Sequence, residues 1–339
     1  MFSITRLIIL VIAMISSINA FSVKIYGHRG ARGLAAEHTM YGYDKAVSAG
    51  VDVVDMDIEM TSDGVLVVTH DFTLNPDLTC DKNGQWITNK IPVRNLTLKQ
   101  LKEFNVGQIK SGTLYSSIFP EQKPVPPGED ATIPTLEQVI QHVKKISKGK
   151  VGFQIEIKTD PADEKISATP KEFAVALEKI LTAENIVDIT EVQAFDWRCL
   201  LELKNINPKI KTAWLTEQDY EASMLADDVQ VAGLWSAGHL LKNYNNSIPG
   251  MIHELGGIGS IWGPEDCQLT QALVEEAHKQ GLKVVPWSYP EKTHKQFDET
   301  MMENLIKWGV DGIITDRPDL LIEVMKRHNL PLSTVYNSS

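Results

Sequence analysis

Three acids fall two residues apart in the stretch VDVVDMDIEM: Asp55, Asp57 and Glu59. Side chains of a strand alternate between its faces, so these acids share one face with Val51 and Val53, while Val54, Met56, Ile58 and Met60 share the other. Like charges held this closely repel, and burying them unpaired is costly. The face therefore asks for a compensating cation. Glu156 and Lys158 alternate in QIEIK, HRG supplies His28 and Arg29, and THD supplies His70 and Asp71. Asp55, Asp57 and Glu156 form an all-oxygen ligand set suited to Ca²⁺ or Mg²⁺. Two histidines that titrate near neutrality suit a general acid and a general base, and Arg29 and Lys158 suit a phosphate. Such a set describes metal-assisted hydrolysis of a phosphodiester. The cations neutralise the phosphate, one histidine takes a proton from the incoming oxygen, and the other delivers one to the leaving alkoxide.

These residues must be brought together by the elements that carry them. Apolar, β-branched runs at 24–27, 53–59, 151–157, 191–195, 211–215, 258–262, 283–287 and 311–315 alternate with amphipathic helical stretches such as TPKEFAVALEKILTAEN and TQALVEEAHKQG. A further helix is expected near 217–226. Eight strands alternating with helices predict an α/β (β/α)8 TIM-type barrel, with chemistry at the carboxyl ends of the strands. His28, Arg29, Asp55, Asp57, His70, Glu156, Lys158, Trp287 and Asp316 all fall at that rim, and Glu59 is expected beyond it, facing solvent. Residues 72–132 break the alternation and read as a small insertion after the second strand, walling part of the mouth. The long connection 228–256, with Trp235, His239 and Tyr244, could do the same.

The chain has 339 residues and a net charge of −11. Residues 1–20, with Arg6 ahead of a short apolar run and small residues up to Ala20, have the layout of a signal peptide and are too short in their apolar part to span a bilayer. Export to a periplasm or the exterior follows, with 21–339 as one barrel domain. Without Arg6 the balance is 32 basic against 44 acidic residues, or −12, and no basic cluster offers a nucleic-acid surface. Cys80, Cys199 and Cys267 are odd in number and far apart; one bridge is open to them, although Cys199 reads as a buried helix residue.

GHRGARGLAAEHT, DMDIEMTSDGVLVVTHD, QIEIK and GVDGIITDRPD together resemble the successive signatures of the glycerophosphodiester phosphodiesterases, over about 24 to 325. The resemblance implies His28 and His70 as the acid/base pair, Asp55, Asp57 and Glu156 as ligands of a divalent metal, and Arg29 and Lys158 on the phosphate. It also implies that Glu37 orients Arg29 or a ligand and that Trp287 lines the substrate pocket. Asp55 stands where the family usually has Glu, Ala36 where Pro is usual, Ala194 where Ser often precedes Phe195, and Pro290 where Asn closes the Trp-x-x-Asn element.

The expected substrate is a glycerophosphodiester, cleaved to sn-glycerol 3-phosphate and an alcohol. Phospholipase D-like action on lysophospholipids would need an apolar path at the mouth, which the sequence does not clearly supply. An exported binding protein for phosphorylated solutes would share the leader and the α/β pattern but has no need of two histidines beside a carboxylate-bound ion. His38 is expected to shape its loop, and Asp316 to start the last helix or brace the rim. His142, His278, His294 and His328 read as solvated, and GGIGS at 256–260 as a turn.

Overall fold

The computed structural model describes residues 22–217, 232–293 and 298–332. The expected leader, nearly all of the helix near 217–226, and His294 lie outside the described residues. Among the described residues nine strands are formed: β1 (Lys24–Gly27), β2 (Val53–Met60), β3 (Leu66–Val68), β4 (Gly152–Ile157), β5 (Thr190–Ala194), β6 (Lys211–Thr216), β7 (Ile261–Pro264), β8 (Lys283–Val284) and β9 (Gly312–Thr315). Eight of them run parallel in the order β8-β7-β6-β5-β4-β2-β1-β9, and β3 pairs antiparallel with β2. The ring is nearly closed where Asp311 N–H donates to the Val284 carbonyl at 2.8 Å and Ile314 N–H to that of Pro286 at 3.1 Å. The architecture is the expected (β/α)8 barrel.

Caps written in the sequence end the helices that surround it. Helix α1 (Met40–Ala49) starts where the Thr39 hydroxyl accepts from Gly42 N–H and stops at Gly50, left-handed at φ 95°. Helices α2 (Leu136–Ile146) and α3 (Pro170–Ala183) open on capping boxes, Thr135 with Gln138 and Thr169 with Glu172. Their apolar faces pack on Ile25, Val54, Met56, Ile58 and Ile155, which point outward from the strands. The inward residues Tyr26, Val53, Ala213, Ile261, Val285 and Ile314 form a separate plug at the barrel floor. Tyr26 crosses that floor to donate to Glu191 at 2.8 Å, over Gly312, where any β-carbon would lie 2.4 Å from the Tyr26 ring.

Several boundaries differ from the sequence reading. The strand expected at 258–262 starts at Ile261, because Gly257 and Gly259 hold positive φ and leave Ile258 84% exposed in a turn. The 283–287 strand is regular only over Lys283–Val284; Pro286 has no N–H to donate, although Val285 and Trp287 still bond to the carbonyls of Trp262 and Pro264. Val51 joins the outer core and not the barrel interior, because the strand begins at Val53 and Asp52 is turned to accept from Ile25 N–H. Glu59 is not at a solvent-facing end: β3 lies across it, pairing Val67 with Glu59, and its exposure is 0%. Leu74, Val93 and Leu101 of the insertion form a small core with Val67 and Ile133, which flank it. All three cysteines are free, with Cys199 buried. Among the described residues no helix is long and apolar enough to cross a membrane.

Candidate active site

Parallel register sets the carboxylates at their levels. Asp55 lies beside Gln154 and Asp57 beside Glu156, and alternation turns these residues into the barrel above the apolar plug. All are buried. Gln193, beside Glu156 on β5, donates to Asp55 Oδ1 at 2.7 Å, and Arg29 N–H donates to Asp55 Oδ2 at 3.1 Å. Asp55 therefore sits one pleat deeper and anchors the loop after β1. Burial and the charge of Asp57 raise its pKa well above the carboxylate range. Asp57 goes the other way: against the cost of burial, His70, His38 and Lys158 hold it low. Burial and Asp57 push Glu156 up to about 8, although Lys158 donates to its Oε1 at 2.7 Å.

The loop after β1 turns tightly. A β-carbon at Gly27 would lie 2.2 Å from the Gly30 carbonyl, and Arg29 and His38 both take positive φ, at 50° and 55°. Such conformations cost about 1–3 kcal/mol each and persist only where surroundings fix them. Here His38 N–H donates to the Arg29 carbonyl at 3.1 Å. Arg29 Nη1 donates to Glu37 Oε1 at 3.0 Å, and its Nε lies 3.7 Å from Asp57. His38 shapes the loop as expected and also reaches the cluster, donating from Nε2 to Asp57 Oδ2 at 2.8 Å while Nδ1 accepts from the Tyr43 hydroxyl.

His28 and His70 face one pocket of about 210 Å³, with Arg29, Glu156, Lys158 and Trp287 in its lining. His28 Nδ1–H donates to Asp316 Oδ1 at 2.6 Å, so Nε2 carries the lone pair. Asp316 is kept ionised against burial by Arg32 and His28. Burial lowers the His28 pKa, with Arg32 and Arg29 adding to the effect of burial and Asp316 opposing it. His70 mirrors the arrangement: Nδ1–H donates to Asp71 Oδ1 at 2.7 Å, and Asn75 holds the other Asp71 oxygen. Lys158 Nζ lies 3.3 Å from His70 Nε2. Burial, then the charges of Arg29 and Lys158, take the His70 pKa down to about 4. Trp287 is held by Nε1–H to the Gly263 carbonyl and meets Phe195 edge-on at 5.3 Å.

Several functional side chains escape the sequence reading. Arg32, fully buried, donates from Nε to Asp316 at 2.8 Å and from Nη1 to the Tyr115 hydroxyl and to Glu291. Its guanidinium lies 4.5 Å over the Phe119 ring. Tyr115, from the insertion, also donates to Glu37. The insertion thus braces both Arg29, through Glu37, and His28, through Arg32 and Asp316. Arg32 sits four residues past His28 in the same motif, which is a usable signal; nothing local marks Tyr115. His239 and Tyr244 of the second connection pair with each other, and Trp235 reaches a neighbouring groove. His142 and His278 are paired with Asp44 and Asp311.

The donor set fits a divalent cation by charge. Four buried carboxylates, Glu37, Asp55, Asp57 and Glu156, face two cations, Arg29 and Lys158, and burial, with the charge of Asp57 added to it, raises the pKa of Asp55 and Glu156. Lys158 and His38 lie among the carboxylates, Lys158 on Glu156 and His38 on Asp57. Among the described residues only Glu265, Asp266 and Cys267 bring three ligand atoms within 4.8 Å of one another, at the end of β7, where Glu265 is engaged with Gln268 and Lys292.

A barrel with cations, carboxylates and paired histidines at its carboxyl rim is the architecture of an enzyme acting on an anionic ester. The statistical profile of the glycerophosphoryl diester phosphodiesterase family matches residues 28–320, and the chain belongs to that family. It is 27% identical over 303 residues to a glycerophosphodiester phosphodiesterase of Bacillus subtilis, covering 88% of this chain and 85% of that one. It is 26% identical over 303 residues to a glycerophosphodiester phosphodiesterase of Caldanaerobacter subterraneus, covering 89% and 98%. A crystal structure from Silicibacter pomeroyi assigned to the glycerophosphoryl diester phosphodiesterases superposes with a TM-score of 0.78 at 27% identity, over 92% of this chain and 96% of that one. An Oleispira antarctica phosphodiesterase, solved with its product sn-glycerol-3-phosphate, shares the fold at a TM-score of 0.61 and 17% identity, over 91% and 98%.

Proposed function

We propose that the protein hydrolyses glycerophosphodiesters, such as glycerophosphocholine, to sn-glycerol 3-phosphate and an alcohol, using a divalent cation and the His28/His70 pair. The observation that carries this reading is the single pocket in which both histidines face buried Arg29 and partly buried Lys158. Those two cations hold the phosphate. Asp57 and Glu156, with Asp55 behind them, would hold Ca²⁺ or Mg²⁺, which supplies further neutralisation of the phosphate and polarisation of its P–O bonds.

The chain's own groups move the protons. Asp316 fixes His28, and Asp71 fixes His70, each with the hydrogen on Nδ1, so both Nε2 atoms carry the lone pair that accepts a proton. One ring takes the proton of the attacking water. The other must arrive protonated to serve the leaving oxygen, and an incoming phosphate favours that form by drawing Lys158 away from His70 and adding negative charge beside the ring. Trp287 and Phe195 wall the pocket, which limits the water that reaches it.

The test is to incubate the protein with glycerophosphocholine and Ca²⁺ or Mg²⁺, with and without EDTA, and to measure sn-glycerol 3-phosphate. Product that forms with the metal and stops with the chelator is expected. No turnover with either metal overturns the activity, and turnover indifferent to EDTA overturns the cation's part.

A further inference from the structure

The three acids expected to hold a cation are not equivalent. Asp57 and Glu156 lie at one level of the register, and the Glu156 carboxyl hydrogen-bonds that of Asp57. Asp55 stands apart. Oxygens bound to one Ca²⁺ or Mg²⁺ at about 2.0–2.6 Å lie within about 5 Å of each other. Among the described residues, no choice of oxygens brings Asp55, Asp57 and Glu156 all within 4.8 Å of one another. Both Asp55 oxygens serve the scaffold instead. Gln193 Nε2 donates to Oδ1 at 2.7 Å and Arg29 N–H to Oδ2 at 3.1 Å, and Gly30 N–H reaches the Asp55 carbonyl at 3.2 Å. Swinging the carboxylate toward Asp57 would strand a buried amide and a buried backbone N–H, which folded proteins rarely tolerate. Gln193 Oε1 already lacks a partner, so its amide has no second bond to fall back on. A Glu in place of Asp55 would carry its carboxylate one methylene farther from the strand.

Resting on the reading of the site as a cation-assisted hydrolase, we infer that Asp55 lies outside the metal shell and positions the loop that carries Arg29. Asp57 and Glu156 then hold the ion as a two-carboxylate site, which selects Mg²⁺ over Ca²⁺ and binds it firmly only together with a phosphate. The selectivity follows from ligand number. Ca²⁺ takes about six to eight oxygens and suffers when a carboxylate leaves its set, whereas Mg²⁺ keeps several waters and is commonly held by one or two carboxylates with a substrate phosphate. The dependence on phosphate follows from the cations already in place. Lys158 donates to Glu156 Oε1 at 2.7 Å and Arg29 Nε lies 3.7 Å from Asp57, so both compete with a metal ion for the same oxygens. A phosphate draws these cations to itself and frees the carboxylates. Ion and phosphate therefore tighten each other's binding, by the same factor in either direction.

The experiment is calorimetric titration of the EDTA-treated, dialysed protein with Mg²⁺ and with Ca²⁺, each with and without sn-glycerol 3-phosphate. With sn-glycerol 3-phosphate present, Mg²⁺ should bind at least about threefold more tightly than Ca²⁺, and Mg²⁺ binding should weaken about tenfold without it. Asp55→Asn keeps both anchoring bonds if Gln193 turns its amide over, and should change the Mg²⁺ Kd by less than about threefold, whereas Asp57→Asn raises it by at least about tenfold. Asp55→Glu should lower the Ca²⁺ Kd about tenfold and erase the preference. Asp55→Ala, which frees the loop, should raise KM for glycerophosphocholine at saturating Mg²⁺ more than it lowers kcat, and Asp55→Asn should recover that loss. Asp55→Asn binding Mg²⁺ as poorly as Asp57→Asn overturns the inference, as does a wild type that binds Ca²⁺ more tightly than Mg²⁺. Wild-type KM in Asp55→Ala removes the positioning role. Binding that follows these expectations with no turnover of glycerophosphocholine leaves the assignment of Asp55 standing and removes the hydrolase reading.

Discussion

Asp316→Asn is the perturbation that most directly probes how His28 is held. The carboxylate is 1% exposed and accepts from His28 Nδ1 at 2.6 Å and from Arg32 at 2.8 and 3.3 Å. An amide of the same size offers one acceptor where three N–H groups need one, and it turns its own NH2 toward the others. Arg32 then keeps Glu291 as its one carboxylate partner. Breaking a buried pair in this way costs about 3–5 kcal/mol. The effect on turnover is separate, because an amide in this place can select the wrong imidazole tautomer; in a comparable histidine–carboxylate pair that loss is about 10⁴ in kcat. The pH dependence follows from the sign of the shift. Arg32 and His28 hold Asp316 below its unfolded value, so its stabilisation is complete above the ordinary carboxylate pKa of about 3.9 and fades as pH falls below it. Urea unfolding at pH 7 should show the full gap between wild type and variant, with the gap narrowing below about pH 4. Steady-state kinetics at neutral pH should show kcat lowered by about 10²–10⁴ with KM little changed. A folded variant with wild-type kcat would refute the claim that Asp316 sets the His28 tautomer.

His28→Ala and His70→Ala should each lower kcat by about 10²–10⁴ with circular dichroism unchanged, and wild-type rates in both would remove the acid/base assignment. Tyr115→Phe deletes the hydroxyl shared by Arg32 and Glu37 and should cost about 1–3 kcal/mol while raising KM; unchanged melting and KM would show that the insertion does not brace the site. Glu59 is buried with no hydrogen-bond partner on either carboxyl oxygen, so Glu59→Met should stabilise the fold by about 1–3 kcal/mol, read as a higher urea midpoint. A lower midpoint would mean that the carboxyl has a structural use.

How far the sequence can be read depends on the range of the physics involved. Alternation along β2 and β4 is a local rule, so the amino-acid order alone places Asp55, Asp57 and Glu156 on the inner face, and the register of the strands puts Asp57 and Glu156 at one level. The same rule misplaces Glu59, because the strand laid over it is set by the return of β3. Asp316 reads as a brace of the rim, and its contacts with His28 and Arg32 are of that kind. Tyr115 cannot be read, since it meets Arg32 across 83 residues of chain and lies in a segment without periodicity. The groove that Trp235 reaches is equally hidden: Phe72, Ile166 and Trp235 come from separate loops and become one surface only when the barrel closes. Strand boundaries shift where backbone chemistry intervenes, at the glycines before β7 and at Pro286.

The barrel is not equally strong around its circumference. β2 and β4 are in register over six residue pairs, whereas the join between β8 and β9 rests on the two backbone hydrogen bonds from Asp311 and Ile314 and on Val284 N–H donating to the Asp311 carboxylate. Trp287 stands just beyond one side of that join and Asp316 just beyond the other, so the weakest stave of the barrel lies between the pocket's aromatic wall and the support of His28. Amide hydrogens there should exchange with solvent sooner than those of β4, and the opening they report is a local parting of the wall next to the reacting phosphate, not an unfolding of the molecule.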